Sequence, residues 1–186
     1  LNVQNTSLVW LPDDGPDAAY VKRHPMPFGE YIPFRRLARL ITTEVDEQPR
    51  HGVEEPVAIL QAGTFAYANH DFVAGQEVGV LPMGATQVGV VICFAVAFDN
   101  LVRDVVRGGG EIVAVQTNNA TFGFAPMTEQ QLAMSRFRAV EHGRTVLVSA
   151  LAGVSAIVQP DGAVVDRGAG GACEAQYARL AVQHPF

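Results

Sequence analysis

The chain has 186 residues, 48% of them hydrophobic, which is enough for one substantial core and too short for two ordinary domains. With 13 basic against 19 acidic residues, a formal charge of −6 and no basic cluster, it is a poor match for nucleic acid or for an anionic membrane surface held by charge alone, so any lipid contact is expected to be apolar. No window reaches the roughly 18–20 uninterrupted apolar residues of a spanning helix, and Leu1-Asn2-Val3 lacks the start of a signal peptide. We therefore expect a soluble piece with a further segment upstream of Leu1.

Ser7 to Leu11 reads as a buried strand, Asp13-Asp14-Gly15-Pro16-Asp17 as a turn, and Ala18 to Lys22 as the returning strand, which puts Lys22 at a strand end. Pro25, Pro27, Gly29 and Pro33 forbid a helix or an inner strand there and leave an ordered loop carrying Glu30. A helix is expected over 34–41, with Phe34, Leu37, Ala38, Leu40 and Ile41 on its apolar face. Residues 44–70 are the least readable. Val57 to Leu60 and Phe65 to Tyr67 are strand candidates, and the whole stretch reads as a loop insertion over the site.

From Gln87 the rhythm becomes strand, helix, strand: Gln87 to Cys93, Ala97 to Val106, the Gly108-Gly109-Gly110 turn, then Ile112 to Val115. Thr128-Glu129-Gln130-Gln131 has the form of a capping box, opening a helix whose apolar face would hold Leu132, Ala133, Phe137 and Val140 and which Gly143 would end. Val146 to Ala150 and Val154 to Val158 read as strands, and Pro160-Asp161-Gly162 as a hairpin turn before Ala163 to Val165. Alternation of this kind means α/β layering in a single domain over 1–186.

The buried run Val88-Gly89-Val90-Val91-Ile92 stops at Cys93. A strand end can present a side chain to a cleft, but a free thiol of pKa about 8.5 is only a few per cent thiolate at neutral pH and needs a neighbouring cation, for which Lys22 is the candidate. Taken alone, Cys93 is more often a small hydrophobe finishing an inner strand, and Lys22 a solvated strand-end lysine. His24, His51, His70, His142 and His184 have no mutual spacing of a metal site or a Cys–His dyad, two cysteines make no disulfide framework, and Cys173 has no role.

Several blocks change those odds when taken together: Lys22 with Pro27-Phe28-Gly29-Glu30-Tyr31-Ile32-Pro33, Val91-Ile92-Cys93-Phe94, Thr117-Asn118-Asn119-Ala120-Thr121-Phe122-Gly123, Arg138-Ala139-Val140-Glu141-His142-Gly143-Arg144, and Gly153-Val154-Ser155-Ala156. In this order they resemble the nitrilase-type domain of apolipoprotein N-acyltransferases, actinobacterial in type, from about Asn5 to Gly162. The resemblance implies the four-layer αββα sandwich of the nitrilase superfamily, lacking its N-terminal portion. It implies Cys93, Lys22 and Glu30 as catalytic residues, and Phe28, Phe94, Asn118 and Asn119 as substrate-binding ones.

By the same resemblance the parent protein would move a fatty acyl group from a phospholipid, through a thioester on Cys93, to the N-terminal amine of a lipoprotein diacylglyceryl-cysteine. It would use no metal or cofactor and bind no nucleic acid. The domain would lie on the extracytoplasmic face of the cell membrane, carried by a membrane portion absent from this chain. An amidase or nitrilase-type hydrolase, and a non-catalytic remnant binding lipid or a partner, are the alternatives. Two departures motivate the last. No glutamate lies between Leu1 and Val21 to act as the superfamily's general base, and Ala95 stands where the family usually has an acid, a loss expected to leave Lys22 or a backbone amide without a partner. Asn119 and Thr121 also replace the family's usual acid and Trp. Glu141 reads as structural, tying the long helix to a neighbouring loop, with Arg136 and Arg138 as its partners or as surface charges.

Overall fold

Valine-rich runs set the centre of the molecule. The computed structural model describes residues 3–27, 29–34, 71–120 and 126–168. In it, strand β4 (Thr86–Ile92) is buried on both faces from Val88 onward, as a central parallel strand must be. It lies in a six-stranded sheet with β3 (Val80–Met83), β5 (Ile112–Thr117), β6 (Val146–Ala150), β7 (Ala156–Val158) and β8 (Val164–Arg167), in the order β3-β4-β5-β6-β7-β8. The pairs β4–β5 and β5–β6 are parallel, and the outer pairs are antiparallel. Each parallel step is bridged by a helix: α1 (Asp99–Arg107) between β4 and β5, and α2 (Met127–His142) between β5 and β6.

Both helices cover one face, closing an apolar cluster that includes Val91, Val102, Val113, Val115, Leu132 and Val148. Against the opposite face lies a separate antiparallel hairpin, β1 (Thr6–Leu11) with β2 (Gly15–Val21). Its Val9 and Tyr20 pack on Val88, Val90 and Ile92. Helices, sheet and hairpin are thus three successive layers of the expected α/β sandwich among the described residues. The hairpin's outer face leaves Trp10 67% exposed. The expected helix beyond Phe34, the 44–70 insertion with its two strand candidates, Phe28, Thr121 and Cys173 lie outside the described residues.

Three expectations need correction. The capping box at Thr128 does not form, because α2 already begins at Met127 with Pro126 as its N-cap and no side-chain cap bond. Its buried stripe is not the apolar one: Phe137 and Val140 are 62% and 56% exposed, Ala133 is also exposed, and Gln131, Leu132, Ser135, Arg138 and Ala139 face inward. Their spacing is that of a helix face, but most of the side chains are polar, and each finds a partner; Ser135 Oγ donates to Gln131 O at 3.0 Å. The strand at 154–158 starts only at Ala156, since Ser155 Oγ is bound to the Ala150 backbone and holds a tight connection there. Gly143 does end α2, in the left-handed conformation at φ 59°.

Candidate active site

At the C-terminal end of β4 the backbone turns abruptly. Cys93 has φ +55°, a left-handed conformation that costs a non-glycine residue about 1–3 kcal/mol and that clusters where function demands it. A 3₁₀ turn follows at Cys93–Ala97. It is held from behind by Arg138 on α2, whose buried guanidinium donates to Val96 O at 3.0 Å and Ala97 O at 2.8 Å and also binds Glu141. Arg138 therefore pins the turn, and Glu141 reaches it through Arg138 rather than through a neighbouring loop. Arg136 bonds Gly162 O at 2.8 Å and does not join them.

Lys22, the chain's only lysine, follows directly after β2, and its side chain is 3% exposed. Its Nζ donates to Glu30 Oε2 at 2.7 Å. Glu30 also accepts from Met26 N at 2.6 Å and from Asn5 Nδ2 at 2.8 Å. Burial pushes the Glu30 carboxyl up, but hydrogen bonds from Lys22, Met26 and Asn5 outweigh it and hold the group below its usual 4.5. Glu30 is thus a carboxylate fixed on Lys22. The segment after it is equally fixed: Gly75 N donates to Lys22 O at 2.9 Å, and a Cβ on Gly75 would fall 2.3 Å from Val21 O.

Two chains of contacts link the hairpin that carries Lys22 to the end of β4 and the residues after it. Ser7, paired with Tyr20 in the hairpin, bonds Gln116, and Gln116 pairs with Ile92; Lys22 lies one step beyond Tyr20 on the same hairpin face. The His24 ring meets Phe98 edge-on at 4.8 Å, and Phe98 meets Phe94 edge-on at 5.9 Å, so aromatic contacts run from two residues after Lys22 to the residue after Cys93. Arg23 adds an ion pair with Asp104 of α1 at 2.7 Å.

Asn118 and Asn119 end the neighbouring parallel strand, as expected, and then diverge. Asn118 is exposed and accepts from Ala120 N at 3.1 Å. Asn119 does not line a cleft: it is 3% exposed, donates to Gln131 Oε1 at 2.7 Å, and has Thr117 Oγ1 3.0 Å from its Oδ1. Gln131, buried on α2, also has Thr117 Oγ1 3.1 Å from its Oε1, and its Nε2 stands 4.0 Å from Cys93 Sγ. Sequence reasoning missed Gln131 and Asn5, and gave Arg138 only as a partner of Glu141, since a lone amide on a helix or just before a strand has no signature of its own. The only available signal was that Gln131 falls four residues before Ser135 and seven before Arg138, on one helical face. Ala95 is 2% exposed within the apolar cluster, and Lys22 already has Glu30, so the missing acid at that position does not leave the lysine unpartnered.

No group of three His, Cys, Asp or Glu that could hold a metal gathers among the described residues. The histidines that are described serve elsewhere: His24 packs on Phe98, and burial holds His142 below its usual 6.5 at the end of α2.

The sequence profile of the carbon-nitrogen hydrolase family matches residues 3–181. The chain belongs to the carbon-nitrogen hydrolase family. The match takes in the hairpin, the Glu30 loop and the Cys93 turn together. It is similar to an apolipoprotein N-acyltransferase of Mycolicibacterium smegmatis, 37% identical over 163 residues that cover 88% of this chain and 24% of that one. It also resembles one of Rhizobium rhizogenes, 33% identical over 144 residues, covering 77% and 24%. The chain spans about a quarter of the length of these curated relatives. The fold is shared with a mutant of the amidase from Nesterenkonia sp. AN1, at TM-score 0.57 and 20% identity over 91% of this chain and 52% of that one. It is shared too with Nit3 of Saccharomyces cerevisiae, a nitrilase-superfamily member, at TM-score 0.57 and 16% identity over 98% and 58%.

Proposed function

We propose that this domain carries the acyl-transfer site of an apolipoprotein N-acyltransferase, with Cys93 as nucleophile. The observation that carries the reading is a cysteine in a left-handed turn at a strand end, with a buried Lys22–Glu30 ion pair tied to the same turn; similarity to the acyltransferases of Mycolicibacterium smegmatis and Rhizobium rhizogenes supports the choice of reaction. In the first step the Cys93 thiolate attacks the carbonyl carbon of a phospholipid ester. Lys22 spends one N–H on Glu30 and has others to donate to the oxyanion, the contribution that usually matters most in acyl transfer. Collapse forms the thioester and expels the lysophospholipid alkoxide, which takes up a proton. The free amine of a diacylglyceryl-cysteine then attacks the thioester, the C–S bond breaks with its electron pair on Cys93, and the amine's proton passes to a base. Glu30 acts by orienting Lys22. The site would work at the extracytoplasmic face of the cell membrane, with Phe94 and Asn118 at its edge toward substrate.

The test is transfer by the full-length protein, given phospholipid with a labelled acyl chain and a diacylglyceryl lipopeptide with a free amine. The reading expects labelled amide on the lipopeptide and one lysophospholipid per amide. Labelled free fatty acid with no amide would assign the site to a hydrolase, and neither product would leave a non-catalytic domain.

A further inference from the structure

The buried amides beside Cys93 are arranged with a direction. Gln131 Oε1 faces two groups that can donate, Asn119 Nδ2 at 2.7 Å and the Thr117 hydroxyl at 3.1 Å, so the amide is oriented with its oxygen inward and Nε2 toward Sγ. Asn119 is held in turn, because its backbone N donates to Ala152 O at 2.9 Å and Thr117 Oγ1, with one proton for two acceptors, stands 3.0 Å from its Oδ1. The pocket around it leaves no slack: a Cβ on Gly153 would stand 3.0 Å from Asn119 Nδ2. Gln131, Asn119 and Thr117 are all buried, which is a costly place for polar groups unless their bonds are satisfied, and only Nε2 is turned to the thiol.

We propose that Gln131 is a catalytic hydrogen-bond donor to the Cys93 sulfur, with Asn119 and Thr117 as positioning residues that aim it. At rest the contact is long, 4.0 Å. It gains strength as negative charge collects on sulfur, since bonds to an ionised acceptor are shorter and about twice as strong as neutral ones. The consequence for acyl transfer, which rests on the function proposed above, falls in the second step. When the amine displaces the thioester, the electron pair of the breaking C–S bond goes to sulfur, and Gln131 meets it with an N–H while giving up no proton. An uncharged donor does this without adding a second cation to the one that Lys22 supplies to the carbonyl oxygen.

Alkylation of Cys93 by iodoacetamide in the full-length protein, followed on the Cys93 peptide across pH, reads the sulfur without requiring acyl transfer. Gln131→Met should lower the neutral-pH rate by about tenfold to a hundredfold, the range for a hydrogen bond to a charged group, and displace the pH profile upward. Gln131→Glu, which offers an acceptor in the same volume, should displace it further. Asn119→Ala should give a smaller displacement in the same direction and keeps the question open to experiment if Gln131→Met does not fold. Profiles that superimpose on wild type in folded variants would overturn the proposal. Displaced profiles in a protein that transfers no acyl group would keep the sulfur donor and remove the acyltransferase reading.

Discussion

Two polar clusters lie on opposite sides of the sheet whose strand β4 ends at Cys93, and they are built on opposite principles. On the hairpin side, Lys22 and Glu30 form a charged pair whose carboxylate is saturated by Met26 N and Asn5. On the helix side, Thr117, Asn119 and Gln131 form a neutral chain buried in the core. A charged pair suits the place where a carbonyl oxygen becomes negative, because a full positive charge there acts at low dielectric. Under the proposed mechanism a neutral amide suits the sulfur, which would be held when charged and released when acylated.

The largest effect should come from breaking the charged side. Lys22→Met is expected to lower thioester formation on the order of 10²–10³-fold, measured as the single-turnover rate with labelled phospholipid. It should also destabilise the fold, by about 3–5 kcal/mol in denaturant titration, because it strips one partner from a buried ion pair. The same pair makes stability depend on pH. Glu30 is held below 4.5, so the unfolded chain binds that proton first; the stabilisation is full above this value and is lost as pH falls through the folded value. Glu30→Gln should flatten that part of the acid-denaturation profile. His142, held below 6.5 by burial, adds a separate loss of stability as pH falls below 6.5, because the unfolded chain takes that proton first.

Next comes the strut behind both clusters. Arg138→Met leaves two turn carbonyls without their donor and should cost about 2–4 kcal/mol in thermal or chemical unfolding. Should the variant unfold at the wild-type midpoint, the turn is held by something other than Arg138. A smaller effect isolates the strain itself. Since both lack the thiol, Cys93→Gly and Cys93→Ala differ chiefly in tolerance of φ +55°, and the glycine variant should be more stable by about 1 kcal/mol. Smallest of all, Phe137→Ser should change stability by no more than about 0.5 kcal/mol, because the ring is mostly exposed.

That last case shows where the sequence was hard to read. Apolar periodicity pointed to Phe137 and Val140, yet α2 buries Gln131, Ser135 and Arg138, because the turn it covers presents carbonyls and a sulfur that need donors. Helical spacing locates a face; it does not say whether the neighbour is apolar or hungry for hydrogen bonds. The strands from Thr86 to Ala150 were legible because valine-rich runs between turn signals have few other readings, although only β4 is buried on both faces. Lys22, Glu30 and Cys93 were singled out by the ordered blocks that hold them, since alone each reads as an ordinary surface, loop or core residue. Asn5 was not, as its bond to Glu30 joins residues 25 apart and leaves no local trace.

Under the proposed function the acyl group rests on Cys93 between the two steps. Full-length protein incubated with labelled phospholipid and no amine acceptor should yield, by peptide mass spectrometry, one hydroxylamine-sensitive acyl adduct on the Cys93 peptide, absent in Cys93→Ala. An adduct that persists in Cys93→Ala, or one mapped to another residue in wild type, would contradict the account.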